Sequence, residues 1–302
     1  MAAAPKIIEH DIDVEDVEYL RHGDAPLLAR LFKPRGIGPF PALVELHGGA
    51  WCLGDRLNDT TINERLARGG ILVAALDFRV PPVASYPASL MDINYGIRWV
   101  KAQAAKLNLR PDSVFTFGIS SGGHQAMLLG MRPRDTRYAS IPLPGSSADA
   151  TVRGVIMGAP VIDPIGRYRY AKQLKEKGNP PPFVDMVLPL HDKYWQTEDA
   201  MTEGSPVQAL GRGEKCELPP VLYIQDARDI VHPRPQLERF VELYRKAGGT
   251  VDLELSEGAA DAFAPKNPPP AISRMYEGSD PSSAASTSTL EKMIAFVRAH
   301  TR

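Results

Sequence analysis

The chain has 302 residues, of which 43% are hydrophobic and 24% charged, and its formal net charge is −1. That size and apolar content suit one large α/β domain with insertions, and the charge balance excludes bulk attraction to nucleic acid or an anionic membrane. Two cysteines, Cys52 and Cys216, exclude a disulfide framework and fit reduced thiols. The opening "MAAAPKIIEHDID" lacks the apolar stretch of a secretory signal. No run approaches the ~18–20 apolar residues of a membrane span. The expectation is a cytoplasmic protein with no membrane contact.

In chain order, the short apolar runs "PALVEL" (41–46) and "GILVAALDF" (70–78) read as strands. A helix is predicted over 87–107, with Leu90, Ile93, Ile97, Val100 and Ala104 on one stripe. "SVFTFG" (113–118) and "VRGVIMGA" (152–159) are again strand-like. Residues 163–215 hold no convincing strand and read as a helical cap inserted into a core of 1–162 and 216–302. "PVLYIQ" (220–225) is a strand, and "RPQLERFVELYRKAGG" a helix that starts at proline and stops at glycine. "TVDLEL" (250–255) is the last strand. A Pro-, Ser- and Ala-rich loop over 264–285 precedes a final helix over 286–300 carrying Leu290, Met293, Ile294 and Val297. Strands that are mostly apolar throughout, alternating with helices, predict an α/β fold: a mostly parallel sheet with helices on both faces.

Three segments carry chemistry. "FGISSGG" (117–123) contains a G-x-S-x-G between a strand and a helix. Small flanks are needed where the chain turns sharply beside neighbouring strands, and the turn lifts Ser120 Oγ clear of the backbone as a nucleophile. "VELHGGAWCLGD" (44–55) also leaves a strand, and its glycines let backbone N–H groups converge on one point. His47 there reads as structural. "YIQDARDIVHP" (223–233) follows another strand. It holds two candidate acids, Asp229 and its competitor Asp226, and Asp229-x-Val231 resembles the turn that supplies the acid in a large hydrolase superfamily.

These segments, together with "YPASLMDINYGIRWV" (86–100), make the chain resemble the α/β-hydrolases, in the hormone-sensitive-lipase-like branch near small esterases and arylformamidases. The resemblance covers nearly the whole chain. It implies about eight strands and the order Ser120, Asp229, then a histidine after the last strand. It also implies an oxyanion hole from the N–H groups of Gly49, Ala50 and Ser121. The implied activity is hydrolysis of carboxylic esters, aryl amides or formamides. His124, beside the elbow, reads as a packing residue.

The pattern breaks at one place. "EGAADAF" (257–263) matches the family's histidine segment, but Asp261 stands at the histidine position. A carboxylate is a poor base for a serine hydroxyl. Loss of the histidine costs such a triad on the order of 10⁶ in turnover. Asp229 and Asp261 would face each other and share a proton. Of the other histidines, His232 lies three residues after Asp229, and its loop is expected to direct it away from Ser120. Three readings stay open: a hydrolase impaired at position 261, by nature or by design; a small-molecule binder or lyase on this fold; and a hydrolase with a different base. Trp51, Tyr194 and Trp195 are candidates for substrate contact. Arg167, Arg169, Lys172, Lys175 and Lys177 read as a solvated helix face. No metal-ligand cluster, phosphate loop or cofactor motif is present. The expected partner is a small ester-like molecule, and a homodimer is left open.

Overall fold

In this computed structural model, which describes residues 9–258, 263 and 282–301, the six predicted apolar runs become six strands and two further strands precede them. β1 (Ile12–His22) and β2 (Ala25–Pro34) form an antiparallel pair. β3 (Phe40–Leu46), β4 (Leu72–Leu76), β5 (Leu109–Ile119), β6 (Val155–Gly158), β7 (Val221–Asp226) and β8 (Val251–Ser256) follow, parallel to one another. The sheet order is β1-β2-β4-β3-β5-β6-β7-β8, with β2 antiparallel to β4. The sheet is therefore mostly parallel and eight-stranded, as predicted.

The sequence reading passed over β1 and β2 because charged residues are interleaved along both faces of this pair. Asp13, Glu15 and Asp16 on β1 reach Arg35, Lys33 and Arg30 at 2.5, 2.7 and 2.8 Å. Such cross-strand ion pairs stabilise a sheet edge without leaving an apolar signature.

Helices cover both faces. α1 (Thr60–Arg68) and α10 (Ala284–His300) lie on one. There Ile62 and Leu66 of α1 and Leu290, Met293, Ile294 and Val297 of α10 are buried with Leu43, Val73, Phe115 and Phe117 of the strands. Each such side chain contributes about 1.5–3 kcal/mol by leaving water. The other face carries α2 (Ala88–Ala102), α4 (Ser121–Met131) and α9 (Arg234–Lys246). The helix predicted over 87–107 is interrupted at Gln103, and the short α3 (Ala104–Leu107) completes it.

Between β6 and β7, four helices follow without a strand: α5 (Pro164–Glu176), α6 (Phe183–Trp195), α7 (Glu198–Glu203) and α8 (Pro206–Gly211). α5 and α6 bury Ala171, Phe183, Val184, Val187 and Leu188 between them. Leu46 at the end of β3 pairs with Gly118 near the end of β5. This register brings the loops leaving both strands side by side at the carboxyl edge of the sheet, where open α/β sheets bind their ligands. No described helix is long and apolar enough to cross a membrane.

Candidate active site

β5 ends at Ile119, and α4 starts two residues later. Ser120, between them, has φ 52° and ψ −114°, a conformation costly for a residue with a Cβ and tolerated where the surroundings enforce it. Its N–H donates to the Gly158 carbonyl at 2.8 Å, and its own carbonyl accepts from Val161 and His124. The small flanks have a measurable reason. A methyl group on Gly122 would lie 1.9 Å from the Leu46 carbonyl oxygen, so α4 presses directly on the end of β3.

The loop after β3 curls through three left-handed residues, Gly49, Ala50 and Trp51, with φ of 107°, 49° and 62°. Cys52 N–H and Leu53 N–H both donate to the Gly49 carbonyl at 3.0 Å. A Cβ at Gly49 would stand 2.3 Å from the Leu53 oxygen, so only glycine fits. The N–H groups of Gly49, Ala50 and Ser121 have no acceptor among the described residues. His47 is buried, stacks on Phe78 at 4.1 Å and hydrogen-bonds the Gly48 carbonyl. Burial holds its imidazole below its ordinary value, which suits the structural part expected of it.

The loop after β7 corrects one expectation. His232 is directed toward Ser120, with Nε2 3.2 Å from Oγ. Its Nδ1 lies 2.8 Å from Asp229 Oδ2. The turn is set by Asp229 itself: Oδ1 accepts from the N–H of Val231 at 2.7 Å and of His232 at 3.0 Å, an Asx-type turn that folds the loop back on its own acid. Burial pushes Asp229 up. The His232 imidazole and the two amides outweigh that and hold the carboxyl below its ordinary value. Gln225, 1% exposed on β7, donates to the His232 carbonyl at 2.8 Å and anchors the loop. Sequence reasoning did not find Gln225; a polar residue ending an apolar strand was its only signal. Asp226 instead ties the strand end to the next turn, accepting from Arg228 N–H and Gly258 N–H. Asp261 lies outside the described residues.

The three rings proposed for substrate contact are almost fully enclosed: Trp51 is 1%, Tyr194 0% and Trp195 2% exposed. Trp51 stacks on Tyr194 at 5.5 Å and meets Trp195 edge-on at 5.3 Å. Their surfaces cover one another and fasten the loop after β3 to α6. Burial brings His124 down to about 4. The neutral ring accepts from Trp51 Nε1 at 3.1 Å and donates to the Gly204 carbonyl at 2.7 Å, the packing part predicted. The supposed solvated face of α5 also needs correction at one position, because Arg167 is 1% exposed. Cys52 and Cys216 are free thiols. Among the described residues no group of three or more His, Cys, Asp or Glu could hold a metal.

A serine in a strand-to-helix elbow, a glycine loop beside it and a mostly parallel eight-stranded sheet define an α/β-hydrolase. The BD-FAE family model matches residues 31–242, and the chain belongs to that family. Esterase LipC of Mycobacterium tuberculosis is 29% identical over 210 residues, covering 68% of this chain and 49% of its own. The arylesterase of Saccharolobus solfataricus is 29% identical over 124 residues, 40% of each chain. Among solved structures, the Pyrobaculum calidifontis esterase matches with a TM-score of 0.70 at 21% identity, covering 97% of this chain and 87% of that one. A phosphonate-inhibited esterase B from Lactobacillus rhamnosis matches with a TM-score of 0.72 at 19% identity, covering 97% and 87%. The chain spans about half the length of the first curated relatives it matches.

Proposed function

We propose that the protein hydrolyses carboxylic esters of small molecules, with Ser120 as nucleophile, His232 as general base and acid, and Asp229 as the group that orients His232. The observation that carries this is the continuous chain from Ser120 Oγ through His232 to the Asp229 carboxylate. In this reading His232 Nε2 takes the hydroxyl proton as Oγ attacks the ester carbonyl. It returns that proton to the leaving alcohol, and then activates water against the acyl-enzyme. Asp229 keeps the proton on Nδ1, so that Nε2 faces the serine as an acceptor. The N–H groups of Gly49, Ala50 and Ser121 receive the negative charge that develops on the carbonyl oxygen. Helices α5 to α8 act as the cap, fastened to the oxyanion loop through Trp51.

The expectation that Asp261 disables the chain assumed that no imidazole reaches Ser120. With His232 in hydrogen-bond range that premise is gone, and the reading with a different base is favoured. The test is hydrolysis of p-nitrophenyl butyrate by the parent and by Ser120→Ala. Turnover by the parent that vanishes in the variant is the expected result. A parent that binds short esters without cleaving them would favour a binder or lyase and sink the proposal.

A further inference from the structure

α5 carries a buried cation that pairs with no acid among the described residues. Its neighbours Arg169, Lys172 and Lys175 reach solvent and pair with Glu198 or Asp185, but Arg167 is turned inward. Its Nε and Nη2 lie 3.1 and 3.0 Å from Nε2 of His191. Its guanidinium sits 5.4 Å from the centre of the Trp51 ring. Nη1 has no hydrogen-bond acceptor among the described residues, where Arg167 also makes no ion pair. Asp163, one turn earlier, is engaged by Ser205 and Gln208. Burial pulls Arg167 down to about 9, against the field of Asp229, so it stays cationic at neutral pH. The oxygens of Asp229 are already held by His232 and two amides.

His191 cannot balance that charge. Burial and the nearby guanidinium keep it well below its ordinary value. The neutral ring accepts through Nε2, and its Nδ1 is buried with no partner. Among the described residues the region thus holds more donors than acceptors. Two of its neighbours belong to the proposed site: Trp51 follows Ala50 in the loop after β3, and Asp229, whose field reaches Arg167, lies in the loop after β7.

We propose that Arg167 is a specificity-determining residue that receives a carboxylate carried by the substrate, so that the preferred esters bear a free acid group. The inference rests on the esterase reading above and names its substrate class. A planar guanidinium with an open nitrogen suits a carboxylate better than any neutral group. A buried charge left without a counter-ion is unfavourable. An anionic ester relieves that condition on binding, and a neutral ester leaves it in place, which is how a buried polar group discriminates between substrates.

The experiment compares mono-p-nitrophenyl adipate with p-nitrophenyl hexanoate, which has the same carbon count and no charge, with uncatalysed rates subtracted. The adipate-to-hexanoate ratio of kcat/KM in the parent should exceed that in Arg167→Met by at least about tenfold, with Arg167→Lys between them. A purely structural Arg167 would lower both rates together, and an unchanged ratio in folded variants overturns the proposal. Binding of monoethyl adipate and ethyl hexanoate to Ser120→Ala supplies a readout without catalysis. The anion should bind more tightly, and adding Arg167→Lys to this variant should reduce that advantage without abolishing it. Equal binding of the two overturns the proposal even if Arg167→Met does not fold. Arg167-dependent binding by a parent that hydrolyses neither ester would keep this inference and remove the esterase reading. Hydrolysis of both esters with a ratio indifferent to residue 167 would do the reverse.

Discussion

Replacing His232 with alanine removes the only imidazole that the described structure places within hydrogen-bond distance of Ser120 Oγ. Loss of the histidine from a serine triad costs on the order of 10⁶ in kcat. At 1.36 kcal/mol per tenfold, that is about 8 kcal/mol of transition-state stabilisation. Asp229→Asn tests the same chain from its other end. The asparagine oxygen still accepts from the Val231 and His232 amides, but its NH₂ then faces Nδ1. That forces the imidazole proton onto Nε2, where it confronts the serine, and the expected loss is about 10⁴. Asp261→Ala is the control. No proton transfer passes through it in this reading, so kcat/KM stays within about one order of magnitude. Steady-state hydrolysis of p-nitrophenyl butyrate, with circular dichroism to verify folding, decides the matter. A His232→Ala protein working within tenfold of its parent, or an Asp261→Ala protein falling as far as His232→Ala should, would refute the reasoning.

Other measurements probe the scaffold. Gly122→Ala drives a methyl group to 1.9 Å from the Leu46 oxygen, backbone against backbone, and should cost about 3 kcal/mol or more in chemical denaturation. Asp92, fully buried on α2, accepts from Arg79 Nε and Nη2 and from His22 Nε2, each at 2.8 Å. Asp92→Ala should therefore lose about 3 kcal/mol by the same measurement, as breaking a buried ion pair does. Glu45 and Asp59 are both buried. Burial and then the Asp59 charge raise Glu45, and burial raises Asp59 to about 6, against its bond to Glu45. A raised carboxyl holds a proton in the folded state that the unfolded chain releases near pH 4. The stability from this pair is complete below about pH 4 and is lost as pH rises through 6 and above. Glu45→Gln should flatten the fall in Tm between pH 5 and 8, and a slope equal to the parent's would contradict it.

How far the sequence carried depended on what each element is made of. Strands β3 to β8 and helices α2, α9 and α10 announced themselves because their burial is written in apolar periodicity. The pair β1–β2 hid behind its cross-strand charges. Ser120 was legible because an elbow needs small flanks, and Asp229 because Asp229-x-Val231 resembles the turn that carries the family's acid. His232 was misjudged because its direction comes from two amides folding onto Asp229 Oδ1 and from Gln225 holding its carbonyl, neither of which leaves a periodic trace. Arg167 was misjudged for a related reason. On a helix rich in Arg and Lys, which cation turns inward is decided by α6 and by the loop that carries Trp51.

Asp229 and His232 belong to one short loop between β7 and α9, residues 227–233. Their mutual distance is fixed by local chain geometry, and only their joint approach to Ser120 depends on the rest of the fold. The two side chains are therefore positioned as one unit. A shift of α9 would disengage both from the serine while leaving their own hydrogen bond whole. The gap between that loop and the elbow is then the one distance that sets how both side chains meet Ser120, and in the structure it is 3.2 Å from His232 Nε2 to Oγ.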